Sequence, residues 1–307
     1  MKKFSNRFYQ GFDLLYHAVT AEIAATTASN WRFSECDAWI EVLVSRFWIE
    51  RGTWPISPLD KSPALTRDYF SAASHLRLGI LRITACAFLH ISYDLPRVIA
   101  SEWPGSGNWE HGPTETEAEG AYTALESIFP VVATAAIKQR DIVGLPSLIL
   151  GRIPYVLIRI ASCWIFRLRL AAWSHARVLQ SAPNRPAIEI RMLRAMTAAI
   201  NDVKNLAPWS VGLLGPPNEA IFDISGLAAV AVGVGEIKLA SLVVLVGAAC
   251  LFLLHVAHVR RDLVEAMIFI DEFGRRVHEY VEVAVTNSEE FETYLKRRAS
   301  GLPGNSK

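Results

Sequence analysis

The stretch "AFLHISYDLPRVIA" (Ala87–Ala100) places a histidine and an aspartate four residues apart in an apolar run that ends at a proline. Residues at that spacing share one face of an α-helix, so His90 and Asp94 are predicted to lie side by side. Projected at about 100° per residue, their helix has one largely apolar side that the two groups extend. That side is formed by Leu76, Gly79, Ile83, Cys86, Ala87, His90, Asp94 and Arg97. Three- and four-residue apolar spacing recurs along the chain without alternating strand patterns, which predicts an all-α helical bundle.

The 307-residue chain is apolar and nearly neutral, with 51% hydrophobic residues and 31 basic against 30 acidic side chains. Nucleic acid is excluded as the main partner, because phosphate binding needs a concentrated basic surface. The four cysteines are widely separated, which disfavours a zinc framework and suits a reducing compartment. Polar residues interrupt the N-terminal apolar run, so we expect no cleavable signal peptide.

The apolar spacing predicts a first helix over residues 8–28 and a second helix that begins near Ser34 and carries a stripe of Trp39, Leu43 and Phe47. A third helix is predicted to run from near Thr66 into the His90 motif. Further helices are expected over 154–180 and 187–206. The Gly/Pro-rich segment 101–117 is either a lid or binding loop or a plain excursion.

The predicted organisation has four parts. A helical domain over 1–182 is followed by an amphipathic helix with a Pro/Gly-rich connection over 183–223. An apolar segment over 224–259 comes next, and a charged amphipathic helix and tail over 260–307 close the chain.

The stretch "LASLVVLVGAACLFLLHVAHV" (Leu239–Val259) is uncharged and is flanked by Lys238, Arg260 and Arg261. As a helix it would span about 30 Å, the thickness of a membrane's hydrocarbon core. It therefore predicts a membrane protein with a single-pass or hairpin segment and its main domain in the cytoplasm. The alternative is the buried central helix of a soluble cytoplasmic bundle, which has the same composition.

A second pair, Asp13 and His17, stands four residues apart on the first helix. If the first and third helices pack together, Asp13, His17, His90 and Asp94 would converge as ligands of a divalent metal or as an acid/base site. Arg97 would pair with Asp94 or hold an anionic group of the substrate. The alternative is a buried Asp–His or Asp–Arg pair that satisfies itself and sets the helix register.

Arg169, Trp173 and Arg177 follow one another at four-residue steps in "RLAAWSHARVL". The spacing predicts a cation–aromatic stripe. It would serve as a clamp for an anionic ligand, or it is a solvated arginine edge beside a core tryptophan.

Four segments together resemble a known family. They are "LYHAVTAEI" (Leu15–Ile23), Phe33 with Trp39 and Phe47, "AFLHISYDLPRVI" (Ala87–Ile99), and "RLAAWSHA" (Arg169–Ala176). Their order and spacing are similar to an uncharacterised all-helical family, domain of unknown function number five-nine-nine-five, over about residues 8–180. Its motifs are a Tyr…Val-Thr first helix, a His-Ile-Asn-x-Asp-Leu motif and a later Arg…Ala-Trp…Ala helix.

This chain departs from the family pattern at Ser92, where the motif has Asn, and at His17, which is not a family feature. The resemblance implies an all-helical fold, and it directs attention to the motif residues His90, Asp94, Leu95 and Arg97. It implies no particular reaction.

The same-face Asp/His pairs predict a small-molecule enzyme, either a metal-assisted hydrolase or an oxygenase. Its site would lie between the first and third helices, with His90, Asp94 and Arg97 as catalytic residues and Asp13, His17, His90 and Asp94 as metal ligands. The alternative is a non-catalytic, membrane-attached helical module that binds a lipid or a partner protein.

Overall fold

The helical periodicity of the sequence is realised as a series of packed helices. The computed structural model describes residues 7–29, 35–57, 64–76, 78–106, 109, 112–125, 128–129, 131–132, 153–207 and 237–299. Every regular element in these ranges is helical, which confirms the predicted all-α class. The elements are α1 (Arg7–Ser29), α2 (Asp37–Gly52), α3 (Arg67–Ala73), α4 (Gly79–Leu89), a π turn (His90–Asp94), α5 (Leu95–Ser101), α6 (Glu115–Ala124), α7 (Ile153–Ser181), α8 (Arg185–Val203), a 3₁₀ turn (Lys204–Leu206), α9 (Ile237–Thr286) and α10 (Ser288–Ala299).

The third predicted helix is divided into two. After α3 the Ser74 hydroxyl donates to the Ser71 carbonyl oxygen at 2.7 Å, a local bond that competes with continued helix. Leu78 then has an extended backbone, with φ −71° and ψ 132°, and α4 begins at the next residue. The expectation of one continuous helix from Thr66 was therefore wrong.

Pro96 does not end the helix that carries His90 and Asp94. A proline in a regular helix removes one hydrogen bond, and its ring clashes with the carbonyl group four residues earlier. The chain responds with a π turn, in which the Leu95 N–H donates to the His90 carbonyl oxygen, five residues back. This wider turn accommodates the proline, and the helix continues as α5 to Ser101.

The core draws on both sides of the predicted boundary at residue 182. The Phe88 ring of α4 packs against the Phe273 ring of α9, with centroids 5.3 Å apart. Helix α9 contacts α7 and α8 and continues through residue 260 without a break. Helix α1 packs closely on α4 where Gly11 faces Ile83. A Cβ at Gly11 would lie only 2.8 Å from the Ile83 Cδ1.

The predicted membrane segment, 239–259, lies in the first half of α9. Over the residues whose side chains the structure describes, no helix is long and apolar enough to cross a membrane. The predicted crossing is therefore not supported.

Several predictions fall outside the described residues. They concern the helix start near Ser34, residues 107–108 and 110–111 of the Gly/Pro-rich segment, the Pro/Gly-rich connection from residue 208 to 223 and the apolar stretch 224–236.

Candidate functional site

An apolar cavity of about 140 Å³ lies between α1, α2, the π turn, α6 and α7. Its walls include the predicted Trp39, Leu43 and Phe47 stripe of α2. The lining side chains are Phe12, Leu15, Tyr16, Val19, Ile23, Trp39, Ile40, Leu43, Val44, Phe47, Ala87, His90, Ile91, Leu95, Tyr122, Leu125, Phe129, Ile165 and Arg169. Three of them carry functional groups suited to polar contact with a guest near the predicted motif: His90, Tyr16 and Arg169.

His90 and Asp94 form the side-chain pair that their spacing predicts. The His90 Nδ1 lies 2.9 Å from the Asp94 Oδ2, and this oxygen also accepts a hydrogen bond from the Trp54 Nε1 at 3.2 Å. Asp94 is fully buried and His90 is 4% exposed. A buried carboxylate is costly unless it is paired, so these two bonds and the nearby Arg97 guanidinium account for its presence.

The Asp94 contact sets the tautomer of His90. An ionised carboxylate only accepts hydrogen bonds, so the Nδ1 must donate to it, and in the neutral imidazole the Nε2 then carries the lone pair. The Nε2 is buried and has no hydrogen-bond partner among the described residues. His90 is one of the cavity-lining residues, so this unpartnered nitrogen belongs to a side chain of the cavity wall.

Four aromatic rings surround the His90 imidazole. The centroids of Phe47 and Tyr16 lie 4.7 and 4.8 Å from its own, and those of Phe12 and Trp54 lie 5.7 and 6.0 Å away. These contacts fix the plane of the imidazole and exclude bulk water, so the ring is held in one orientation.

Tyr16 supplies a second polar group at the cavity. Its hydroxyl is buried and, within the described part of the chain, has no hydrogen-bond partner. Burial, reinforced by the Asp94 charge, raises the pKa of Tyr16 well above its ordinary value. The phenol therefore stays protonated and keeps its O–H donor, on a ring whose centroid lies 4.8 Å from that of the His90 imidazole.

Of the two roles predicted for Arg97, the structure shows the one beside Asp94, with the guanidinium also paired to other carboxylates. Its Nη1 donates to the Glu50 Oε2 at 2.7 Å, and its Nε lies 3.2 Å from a Glu189 carboxylate oxygen. The Asp94 Oδ1 is 3.8 Å from the same guanidinium, which lies over the Tyr93 ring. Three carboxylates thus occupy Arg97, which acts by holding Asp94.

The structure does not bring Asp13 and His17 to His90 and Asp94. Asp13 accepts two hydrogen bonds from the Arg51 guanidinium, at 2.8 and 3.1 Å, and this pair is buried. His17 is exposed and packs on the Trp48 ring, with centroids 4.2 Å apart. Residues Asp13 and His17 share a helix face, but that face meets α2.

The predicted divalent-metal site is therefore not assembled from these four residues. In the described ranges, no group of three or more His, Cys, Asp or Glu side chains is placed to hold a metal ion. His90 and Asp94 are turned to each other, so the pair suits proton transfer better than joint ligation.

The predicted cation–aromatic stripe of α7 is divided between the core and the surface. Trp173 is buried against Trp103 and Tyr122, with ring centroids 5.3 and 5.4 Å away. Arg177 is exposed and pairs with Glu115, whereas Arg169 lines the cavity. In the loop between α5 and α6, Trp103 completes this aromatic cluster, so this part of the segment is packed rather than open.

Sequence reasoning missed Tyr16 and Trp54, which contact the two residues it found. Tyr16 directly precedes His17, and the Asp13/His17 spacing directed attention to the neighbouring face of α1. Trp54 follows the end of α2, and its bond to Asp94 depends on how α2 and the π turn meet. The tyrosine of the first-helix family motif is Tyr16, and this was the one signal in the sequence that could have indicated it.

No family model matches this chain, and neither a curated protein nor a solved structure does. The resemblance to the uncharacterised helical family stays a prediction.

Proposed function

We propose that the protein is a small-molecule enzyme that uses His90, oriented by Asp94, as a general base at the apolar cavity. The observation that carries the proposal is the buried, unpartnered Nε2 of an imidazole whose Nδ1 is bonded to a buried carboxylate. This is how histidine is oriented in many proton-transfer sites, where the carboxylate stabilises the imidazolium that forms.

Tyr16, whose ring packs on the His90 imidazole, supports the same chemistry. A protonated phenol beside the base can donate to an oxygen on which negative charge develops, and an apolar setting strengthens that bond. The described lining residues include no Ser, Thr, Cys or Lys. The proton that His90 accepts would therefore come from water or from the substrate itself.

The test uses 4-nitrophenyl acetate, a small activated ester, as the probe. Water attacks the acyl carbon while the His90 Nε2 accepts its proton, the ester C–O bond breaks, and 4-nitrophenolate leaves. General-base catalysis contributes about 10²–10⁴-fold, so we expect His90→Gln to lower the protein-dependent rate by at least about 100-fold. Asp94→Asn should lower it as well, because it no longer enforces the tautomer.

His175→Gln is the matched control, since His175 is also buried beside a carboxylate, Glu282, but is not among the cavity-lining residues. Its rate should equal that of the wild type. Equal rates in the wild type and a folded His90→Gln protein, checked by circular dichroism, would remove the proposal.

The second candidate is a non-catalytic helical module that attaches to a membrane surface or binds a lipid or partner protein. It is supported by exposed large apolar side chains along α9, of which Leu245 is 69% and Leu253 65% exposed. Exposed apolar patches of this kind commonly mark interaction surfaces. Flotation with vesicles of phosphatidylcholine and phosphatidylglycerol tests it. We expect Leu242→Gln with Leu245→Gln to reduce binding, and unchanged or absent binding contradicts this candidate.

A further inference from the structure

Arg169 brings a positive charge to the same cavity as His90 and Tyr16. Among the described lining residues it is the only Arg, and none is Lys, Asp or Glu. A charge at an apolar wall is costly unless a partner compensates it. The identity of that partner bears on what the cavity binds.

The Arg169 side chain is held in place by a neutral group. Its guanidinium lies 4.6 Å from the centre of the Tyr122 ring, and its Nη2 donates to the Tyr122 carbonyl oxygen at 2.8 Å. The Tyr122 hydroxyl in turn donates to the Arg169 carbonyl oxygen at 2.9 Å. These reciprocal contacts orient the guanidinium without neutralising it.

Arginines of α2 and α5 are neutralised by carboxylates. Arg51 pairs with Asp13, Arg46 with Glu102, and Arg97 with Glu50. No carboxylate of the described residues lies within 4.0 Å of the Arg169 guanidinium. A guanidinium offers several N–H donors in a planar fork that matches a carboxylate, and only one donor is used by Tyr122.

We infer that the cavity binds a small apolar carboxylic acid whose carboxylate pairs with Arg169. An apolar cavity of about 150 Å³ holds a benzene molecule, so the body of the acid corresponds to one ring or a short chain. The inference rests on the proposed function in one respect, which is that the group to be deprotonated lies at His90. Binding of the carboxylate does not depend on it.

The experiment compares each of two carboxylates with its neutral amide by ligand-observed NMR titration of the intact protein. The probe pairs are benzoate with benzamide and hexanoate with hexanamide, which have closely similar shapes within each pair. We expect the wild type to bind the carboxylate at least about tenfold more tightly than the amide. Arg169→Gln should bring this ratio close to one, and Arg169→Lys should leave an intermediate preference because it keeps the charge but not the fork.

Arg177→Gln is the control, because Arg177 lies on the same helix but is exposed and pairs with Glu115. It should keep the wild-type ratio. The binding ratio is measured without turnover, so a failure of the proposed base chemistry, seen in the ester hydrolysis rate, is distinguishable from a failure of this inference. Equal binding of carboxylate and amide by the wild type overturns the inference, as does a preference that survives in Arg169→Gln or the absence of binding by any probe at millimolar concentration.

Discussion

At the scale of single residues, two side chains of the cavity wall each carry a buried polar atom without a partner in the described part of the chain, the Tyr16 hydroxyl and the His90 Nε2. Buried polar groups are normally hydrogen-bonded in a folded protein, and each donor or acceptor left without a hydrogen bond costs about 1–3 kcal/mol. Their position at one cavity is the pattern expected where a ligand supplies the missing bonds.

Tyr16→Phe removes a hydroxyl that stabilises nothing in the described structure. We expect the free energy of unfolding in urea to stay the same or rise by up to about 1 kcal/mol, while the ester hydrolysis rate falls. Tyr69→Phe is the control, because the Tyr69 hydroxyl donates to the Ala85 carbonyl oxygen at 2.7 Å in the core. It should cost about 1–2 kcal/mol. A larger loss of stability from Tyr16→Phe than from Tyr69→Phe would contradict this assignment.

Arg51 and Asp13 form a buried ion pair that has a structural role. Arg51→Met leaves the Asp13 carboxylate buried without its countercharge, and we expect a loss of about 3–5 kcal/mol in the free energy of unfolding. The double variant Arg51→Met with Asp13→Leu should recover much of it, because both charges are gone. Arg177→Met, at an exposed pair, should change stability by less than about 1 kcal/mol. Additive single effects in the double variant would show that the pair is not coupled.

At the scale of elements, the π turn lets the helix continue past Pro96, and it carries His90 and Asp94 of the site. A regular helix would advance each residue by about 100°, and the extra residue changes the face presented by α5 relative to α4. Arg97, three residues after Asp94 in α5, lies 3.8 Å from its carboxylate and also pairs with Glu50 and Glu189.

The contact of α7 with α9 is close at Gly274. A Cβ there would lie 2.3 Å from the Trp164 Cγ, an atom near the base of a side chain that is 8% exposed. Alanine normally stabilises a helix interior by about 0.5–1 kcal/mol relative to glycine, but we expect Gly274→Ala to destabilise by about 1–3 kcal/mol through overpacking. Thermal denaturation measures it. Gly120→Ala in α6, where nothing lies within 4 Å, should show the opposite sign.

The same two helices share a pH-dependent contact between His175 and Glu282, whose Nε2 and Oε2 are 2.8 Å apart. The hydrogen bond from His175 lowers the pKa of Glu282. A depressed carboxyl pKa adds stability above the unfolded value of about 4.3 and loses it as the pH falls through the folded value. Glu282→Gln should therefore reduce the decrease in the free energy of unfolding between neutral and acidic pH. The difference should be less than about 1 kcal/mol because the site is partly exposed. Parallel stability curves for the two proteins between neutral and acidic pH would contradict this.

At the scale of the whole molecule, core side chains from Phe8 to Phe291 form a single cluster across the predicted boundary at residue 182. Helix α9 contributes to it through its second half, where Phe269, Ile270 and Phe273 are fully buried. The cavity is built by α1, α2, the π turn, α6 and α7, so its shape depends on packing among distant parts of the chain.

A shared core predicts one cooperative unfolding transition. Phe88→Ala and Phe273→Ala each remove one side of a packed ring pair, and we expect each to cost about 3–5 kcal/mol and to shift the same transition. Circular dichroism and tryptophan fluorescence should report coincident curves. Leu245→Ala, at a side chain that is 69% exposed, should change stability by less than about 0.5 kcal/mol. Two separate transitions would instead support independent domains.

The sequence by itself determined the helical class and the His90–Asp94 pair, because both depend on spacing within one helix. The bounds of α1, α7 and α8 were predicted closely for the same reason. Only the tertiary structure decided that Asp13 pairs with Arg51, that Arg97 is occupied by carboxylates, and that Tyr16 and Arg169 reach the cavity of His90. Those outcomes depend on which faces of different helices meet, and residue spacing along one helix carries no information about the rotation of its neighbours.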